Sequence, residues 1–121
     1  MAMMYHRALA DLPEQPSAAT LSHLAAIATD LGADLVKLDY AGSTAAMNGV
    51  VDSCPLPIVV AGGAYRDDDS AIALGTEVSD SRVAGLSFGR HVFGAQDPRR
   101  VASTLADHLH SVPVPRSLEL A

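Results

Sequence analysis

Positive charge is scarce in this 121-residue chain, which carries eight lysines and arginines against fourteen aspartates and glutamates. The formal net charge is −6, and the basic residues are scattered along the chain rather than gathered in a stripe. A nucleic-acid backbone or an anionic membrane surface is neutralised by clustered lysine and arginine. We therefore expect neither nucleic acid nor membrane as a partner.

Cysteine and long apolar runs are also scarce. The single cysteine, Cys54, excludes an internal disulfide and any multi-cysteine metal site, and it fits a reducing compartment. No apolar run approaches the roughly 20 residues that a membrane-spanning helix needs, and the N-terminus lacks the charged-then-apolar pattern of a signal peptide. We therefore expect a cytoplasmic protein.

Metal-ligand spacing is missing as well. The five histidines form no compact set, and His108 and His110 lie two positions apart on a predicted helix, where they face different directions. The acidic run 67–69 is interpreted as the start of a helix, with a hard-cation site as the less favoured alternative. We expect neither a metal nor another cofactor.

The chain is rich in apolar residues, at 49% against 18% charged, and they recur in an alternating order. Four short β-rich runs, each followed by a segment of helical periodicity, predict βαβ units around a parallel sheet. The runs are residues 1–6, 33–40, 57–61 and 83–88. The predicted fold class is therefore α/β, a (βα)4 half of a TIM barrel with parallel strands inside and helices outside.

Capping residues mark the expected helix starts. These are Ser17, Ser43, the acidic run 67–69, and Asp97 followed by Pro98. The first helix carries an apolar stripe at three-to-four spacing and ends at Gly32, and the second ends before Pro55. The third is expected to run to about residue 79, although Gly75 weakens it.

We expect a single domain over residues 1–110 and an irregular tail over 111–121, where two prolines interrupt any period. Four parallel strands cannot close into a barrel, so both edges and an apolar inner face would meet water. A second copy of the chain, or a separately encoded first half-barrel, would cover them. We therefore expect a homo-oligomer or a complementary partner chain.

The run 33–40 contains the one lysine of the chain, Lys37, among residues otherwise fit for burial. A desolvated lysine loses its proton more easily and attacks a carbonyl carbon, as arginine cannot. The imine that forms withdraws electrons and permits cleavage or formation of the neighbouring C–C bond. The alternative is that Lys37 extends to solvent from a strand end or pairs with Asp34 or Asp39.

Two later strand ends are rich in glycine. Gly62 and Gly63 end the third run, and Gly89 with Arg90 ends the fourth. Glycine lets backbone N–H groups approach a ligand, and a helix or helical turn after each strand attracts anions at its N-terminus. Together they predict a phosphate-binding site like that of the last two strands in many (β/α)8 enzymes.

The chain resembles the C-terminal half of class I aldolases of the archaeal fructose-bisphosphate aldolase and aminodideoxyheptulosonate synthase type, in the segments VKLDYAG, CPLPIVVAGG and VAGLSFGRHVF. The resemblance spans roughly residues 3–110. It implies that Lys37 forms the Schiff base, with Tyr40 beside it, and that Tyr5 serves as general acid/base. The residues implied to bind a phosphorylated small-molecule substrate are Gly62, Gly63, Ser87, Gly89, Arg90 and Tyr40.

The chain also departs from that family. The family's first four strands are absent, its Tyr-Pro-Arg-Gly motif has become Tyr5-His6-Arg7-Ala8, and the asparagine after the last-strand arginine is His91. One hypothesis is a Schiff-base aldolase-like lyase or transferase acting on a phosphorylated keto sugar or related carbonyl compound. The other is a non-catalytic or split-enzyme half-barrel subunit that needs a partner chain. A fragment of a longer enzyme is a third interpretation.

Overall fold

The computed structural model of the protein describes residues 1–7 and 15–111. Four parallel strands form one sheet in the order β1-β2-β3-β4, and each strand lies inside its predicted run. The strands are β1 (Ala2–Met3), β2 (Val36–Leu38), β3 (Ile58–Ala61) and β4 (Gly85–Ser87). The predicted (βα)4 half-barrel architecture is confirmed.

Helices alternate with the strands. They are α1 (Ala18–Asp30), α2 (Thr44–Asp52), α3 (Asp68–Ser79), a single turn α4 (Arg90–Phe93), and α5 (Pro98–Ser111). The side chains of Ser17, Ser43 and Asp67 each accept a hydrogen bond from the backbone N–H three residues later, which satisfies an unpaired donor of the first turn. Asp97 does the same for Arg100, at 2.9 Å. All four predicted helix starts are confirmed.

The end of the chain was expected to be irregular from residue 111, but α5 still includes Ser111. The rest of that predicted tail, residues 112–121, lies outside the described residues. Within the described part of the chain, no helix combines the length and the apolar character needed to cross a membrane.

Strand alternation divides the sheet into two unlike faces. Val36 and Leu38 are fully buried toward the helices, and so is Val60, with Ile58 nearly so. Lys37 lies between the first two and therefore points to the opposite, inner face. The helix-side residues pack with Leu21, Ala25 and Ala28 of α1, Met47 and Val50 of α2, and Val78 of α3. The helices thus cover one face of the sheet and leave the inner one free for a ligand or a partner.

The pairing register aligns the inner face in rows. Met3 is opposite Lys37, Lys37 is opposite Val59, and Val59 is opposite Gly85. The next row toward the carboxyl ends pairs Ala61 with Ser87. Residues that are partners in a parallel ladder project to the same face, so Lys37 shares its row with apolar and small side chains.

Gly75 has a packing role in the helix that it was expected to weaken. It is buried on α3, and a Cβ at this position would overlap the methyl groups of Leu105 on α5. The missing side chain lets α5 approach α3 and form a second apolar cluster with Ala71 and Val101. Close helix packing therefore offsets the lower helix propensity of glycine.

Asp68 ties the start of α3 to the loop before α5. Its carboxylate is buried and accepts hydrogen bonds from the hydroxyl of Tyr65 at 2.6 Å and from the backbone N–H groups of Gln96 and Asp97, both at 2.9 Å. The Tyr65 hydroxyl, followed by the Asp97 N–H, lowers the pKa of the Asp68 carboxyl. Adjacent Asp69 instead makes an exposed ion pair with Arg100.

We expect Asp68→Ala to lower the melting temperature by roughly 10 °C or more, because it leaves two backbone donors without their acceptor. Asp69→Ala, the matched control, should lower it by less than about 4 °C, since exposed ion pairs contribute little. Because the pKa of the Asp68 carboxyl is lowered by folding, its ionised form stabilises the fold at pH values above the unfolded-state pKa of about 3.9. This stabilisation is lost as the pH falls below that pKa. The difference between wild type and Asp68→Ala should therefore shrink below about pH 4 in thermal melts. Equal melting temperatures for the two variants at pH 7 would contradict this role.

Candidate active site

The inner face and the carboxyl ends of the strands border a cavity of about 220 Å³. Its lining residues are Tyr5, Lys37, Asp39, Ala61, Gly62, Gly63, Ser87, Gly89, Arg90, His91 and Phe93. Seven of the eight site residues named from the sequence are among them. The cavity therefore brings the lysine of β2 together with both glycine-rich strand ends.

Lys37 points into this cavity because its two neighbours on β2 point the other way, toward the helices. Val36 and Leu38 are fully buried on the helix side, whereas Lys37 is half-buried on the inner face. Within residues 1–7 and 15–111, Lys37 has no ion pair, so the alternative pairing with Asp34 or Asp39 is not observed. Its amine is directed toward the space that a ligand would fill.

Gly62 and Gly63 need glycine for different reasons. Gly63 has a φ of +70°, in the left-handed region that L side chains rarely adopt. Gly62 packs against His91, and a Cβ there would overlap the imidazole Nδ1 and lie 2.7 Å from Cε1. At the end of β3, glycine is thus required once for backbone conformation, at Gly63, and once for space, because the His91 ring occupies the position that a side chain of Gly62 would take.

His91 also lines the cavity, although the sequence did not identify it as part of the site. Its side chain is 3% exposed, and its ring lies 4.9 Å from that of Phe88 and 6.1 Å, edge-on, from that of Tyr65. Burial, with a smaller effect from Arg90, lowers the pKa of His91. The imidazole is therefore neutral near pH 7.

Asp39 is the second lining residue that the sequence analysis did not assign to the site. It lies two positions after Lys37, and successive residues of a strand alternate between faces, so the two share the inner one. The spacing was a usable signal. Asp39 is the one acidic side chain among the described residues that line the cavity.

Tyr40 requires a correction, because it does not line the cavity. It follows Asp39 and therefore turns back to the helix side, where it packs against the main core and its hydroxyl donates a 2.9 Å hydrogen bond to Glu77 Oε1 of α3. Burial raises the pKa of Tyr40. Its place beside Lys37 in the sequence does not put it beside Lys37 in the fold.

Tyr5 lines the cavity from the chain just after β1. Its side chain is 55% exposed, and its hydroxyl lies 3.8 Å from the sulfur of Met3. The phenol is therefore on the correct side of the sheet to meet a ligand, at an edge that the described residues leave uncovered.

The described residues contain no group of three histidine, cysteine, aspartate or glutamate side chains that could hold a metal ion. The three acidic residues at the start of α3 make contacts within the protein instead. Asp67 caps the helix, Asp68 accepts the hydrogen bonds of the α5 loop, and Asp69 pairs with Arg100. The functional groups that line this cavity are an amine, a phenol, an imidazole, a guanidinium, a carboxylate and a serine hydroxyl.

We expect Gly62→Ala to destabilise the protein by about 1–3 kcal/mol, because the new methyl group must displace the buried ring of His91. Gly49→Ala is the matched control: a Cβ there meets no atom within 4 Å, and alanine should stabilise α2 by about 0.4–1 kcal/mol. Urea unfolding measures both changes. Unchanged stability and unchanged His91 ring resonances in Gly62→Ala would show that the contact is not tight.

Known proteins similar to this chain are aldolases and related synthases. The family model described as DeoC/LacD family aldolase matches residues 1–95. Over 113 residues the chain is 42% identical to 2-amino-4,5-dihydroxy-6-oxo-7-(phosphonooxy)heptanoate synthase of Streptomyces griseus, covering 92% of the chain and 40% of that protein. It is 34% identical over 110 residues to 2-amino-3,7-dideoxy-D-threo-hept-6-ulosonate synthase 1 of Archaeoglobus fulgidus, covering 91% and 40%.

Among solved structures, an archaeal fructose 1,6-bisphosphate aldolase superposes with a TM-score of 0.79 at 23% identity, over 91% of this chain and 44% of that one. At this identity the likeness shows the fold alone. The chain spans about two fifths of the length of the curated relatives it matches, in agreement with four strands where a whole barrel has eight.

Proposed function

The chain belongs to the DeoC/LacD aldolase family, and from that membership we propose that it carries the Schiff-base half of a class I aldolase-type active site. The proposed substrate is a phosphorylated keto sugar or a related carbonyl compound. One observation carries the proposal: Lys37, Tyr5 and both glycine-rich strand ends with Arg90 line a single cavity.

Lys37 is the proposed nucleophile. Its neutral amine attacks the substrate carbonyl carbon, and the carbinolamine that forms loses water to give a protonated imine. The positive nitrogen then accepts the electron pair of the C–C bond that breaks, or stabilises the carbanion equivalent that attacks a second carbonyl. Arginine could not replace it, because its guanidinium stays protonated and is a poor nucleophile.

Tyr5 is the proposed general acid/base. The pairing of Met3 with Lys37 puts β1 beside β2, so the phenol and the amine reach the cavity from adjacent strands. A hydroxyl in this position can donate a proton to the departing carbinolamine oxygen and take one from a substrate hydroxyl. Both steps need the phenol to be shielded from bulk water, which its exposure in the half-barrel does not provide.

The phosphate of the substrate is proposed to bind at the other side of the cavity. Gly62, Gly63 and Gly89 expose backbone there, Ser87 offers a hydroxyl, and Arg90 supplies a guanidinium. The name of the Streptomyces griseus relative contains a phosphonooxy group, and the family membership supports a ligand of the same class here.

A partner is proposed to complete the barrel, either a second copy of this chain or a chain that supplies the other half. The support is that, among the described residues, β1 and β4 each have one unpaired edge in the four-stranded sheet, and that the inner face carries exposed Met3 and Tyr5. The same features support the alternative function, a half-barrel subunit of residues 1–110 without activity of its own.

Borohydride reduction in the presence of dihydroxyacetone phosphate tests the nucleophile. We expect one reduced adduct on Lys37, located by peptide mass spectrometry, because the chain has no other lysine. The N-terminal amine is the internal control, and Lys37→Arg should abolish the adduct completely while it keeps the positive charge. No adduct on Lys37 in a folded, assembled sample would reject the enzyme and favour the non-catalytic subunit.

Sedimentation tests the partner. We expect the wild-type chain at micromolar concentration to exceed its monomer mass of 12.5 kDa, and Met3→Glu to return it to that mass, because Met3 is 56% exposed on the inner face of an edge strand. Leu31→Glu is the matched control, since Leu31 is 76% exposed at the end of α1 and should not affect assembly. A stable wild-type monomer would contradict the homo-oligomer and leave a complementary chain as the partner.

A further inference from the structure

His91 lines the cavity with a buried ring whose nitrogens have no hydrogen-bond partner among the described residues. The side chain is 3% exposed, and within residues 1–7 and 15–111 neither ring nitrogen has a hydrogen-bond partner. Yet the described residues contain no side-chain nitrogen or oxygen that is both sealed from solvent and unpaired. The small exposed part of the ring must therefore include its nitrogens, and His91 is one of the residues that line the cavity.

The apolar surroundings hold the ring in this orientation. Phe88 stacks at a tilt of 37°, Tyr65 meets the ring edge-on at 85°, and the α-carbon of Gly62 lies against it. The ring atom nearest to the side-chain position of Gly62 is Nδ1, and neither the glycine nor the two aromatic rings gives a ring nitrogen a hydrogen bond. A donor that is fixed in place and unpaired is ready to bind a ligand without a large loss of side-chain entropy.

The charges around the cavity favour an anion. The titratable groups that face the same space are Lys37, Arg90, Tyr5 and Asp39, and Tyr65 packs against the ring itself. Lysine and arginine outnumber the single carboxylate. Burial and Arg90 keep His91 neutral without a ligand, but a dianion beside the ring would favour the protonated form, whose N–H groups both donate.

We propose that His91 binds the phosphate group of the substrate, donating a ring N–H to a phosphate oxygen alongside Arg90 and the backbone of the glycine-rich strand ends. This inference rests on the proposed function and adds to it a specific donor whose charge depends on the ligand. Phosphate binding and proton uptake are then coupled, so the affinity for a dianion rises as the pH falls from 8 toward 5.5.

Sulfate is the probe, because it remains a dianion throughout this range, whereas phosphate itself titrates. In calorimetric titrations of the full-length chain, we expect sulfate to bind about tenfold more tightly at pH 5.5 than at pH 8. His91→Asn should bind sulfate with nearly equal affinity at both pH values, because the amide can donate but not titrate. His6→Asn and His23→Asn are the matched controls and should keep the wild-type dependence.

The wild-type chain gives a second measurement that needs no variant. We expect sulfate to raise the pKa of His91, followed by its ring proton resonances, while the ring resonances of exposed His23 do not respond to sulfate. The proposal would be overturned by an unmoved His91 pKa, by an undiminished pH dependence in His91→Asn, or by no sulfate binding at either pH.

These outcomes separate the inference from the proposed function. Borohydride trapping reports the lysine, and sulfate affinity reports the anion site. If Lys37 gives no adduct while sulfate still depends on His91, the Schiff-base function fails and the anion site stands. If Lys37 is trapped but His91 does not respond to sulfate, the aldolase function stands and the role of His91 fails.

Discussion

The two-residue alternation of β2 is the constraint on which the site depends. Val36 and Leu38 are buried under the helices, and each such side chain contributes about 1.5–3 kcal/mol when fully buried. A slip of one residue would expose both and force Lys37 into the apolar core. The packing of two hydrophobic residues thus determines the direction of the amine. Asp39 reaches the cavity for the same reason, and Tyr40 is kept out of it.

Much of the fold could be predicted because its signals are local. Serine and aspartate caps, apolar runs and proline breaks each act within a few residues, and the structure uses them as expected. The resemblance implied that Tyr40 lies at the site, but strand alternation puts it on the opposite face from Lys37, where it bonds to Glu77. His91 could not be found in this way, since its burial results from Gly62, Phe88 and Tyr65, which lie on different elements.

One part of the site is packed by the half-barrel itself, and another part is exposed to solvent. The glycine turns and His91 are packed by contacts within the described chain, whereas Tyr5 and Met3 remain more than half exposed. Electrostatic interactions weaken in water, and a phenol open to solvent has no preferred proton partner. A molecule covering the inner face would therefore change Tyr5 far more than His91. The proposed anion binding and the proposed imine chemistry therefore differ in how much they would need such a partner.

The spacing of the sheet relates these two activities to one ligand. Lys37 projects from β2 and the Gly89–Arg90 end follows β4, two strand spacings or roughly 10 Å away across the inner face. The four-carbon stem of lysine spans part of that gap, and a small phosphorylated ketone would fill the remainder with its carbonyl toward the amine. In that position the phosphate would meet Arg90 and His91, while Asp39 lies on the same face of the sheet as Lys37. A protonated imine on the face that carries Asp39, and a dianion next to Arg90 and a protonated His91, would place opposite charges at both ends of the ligand.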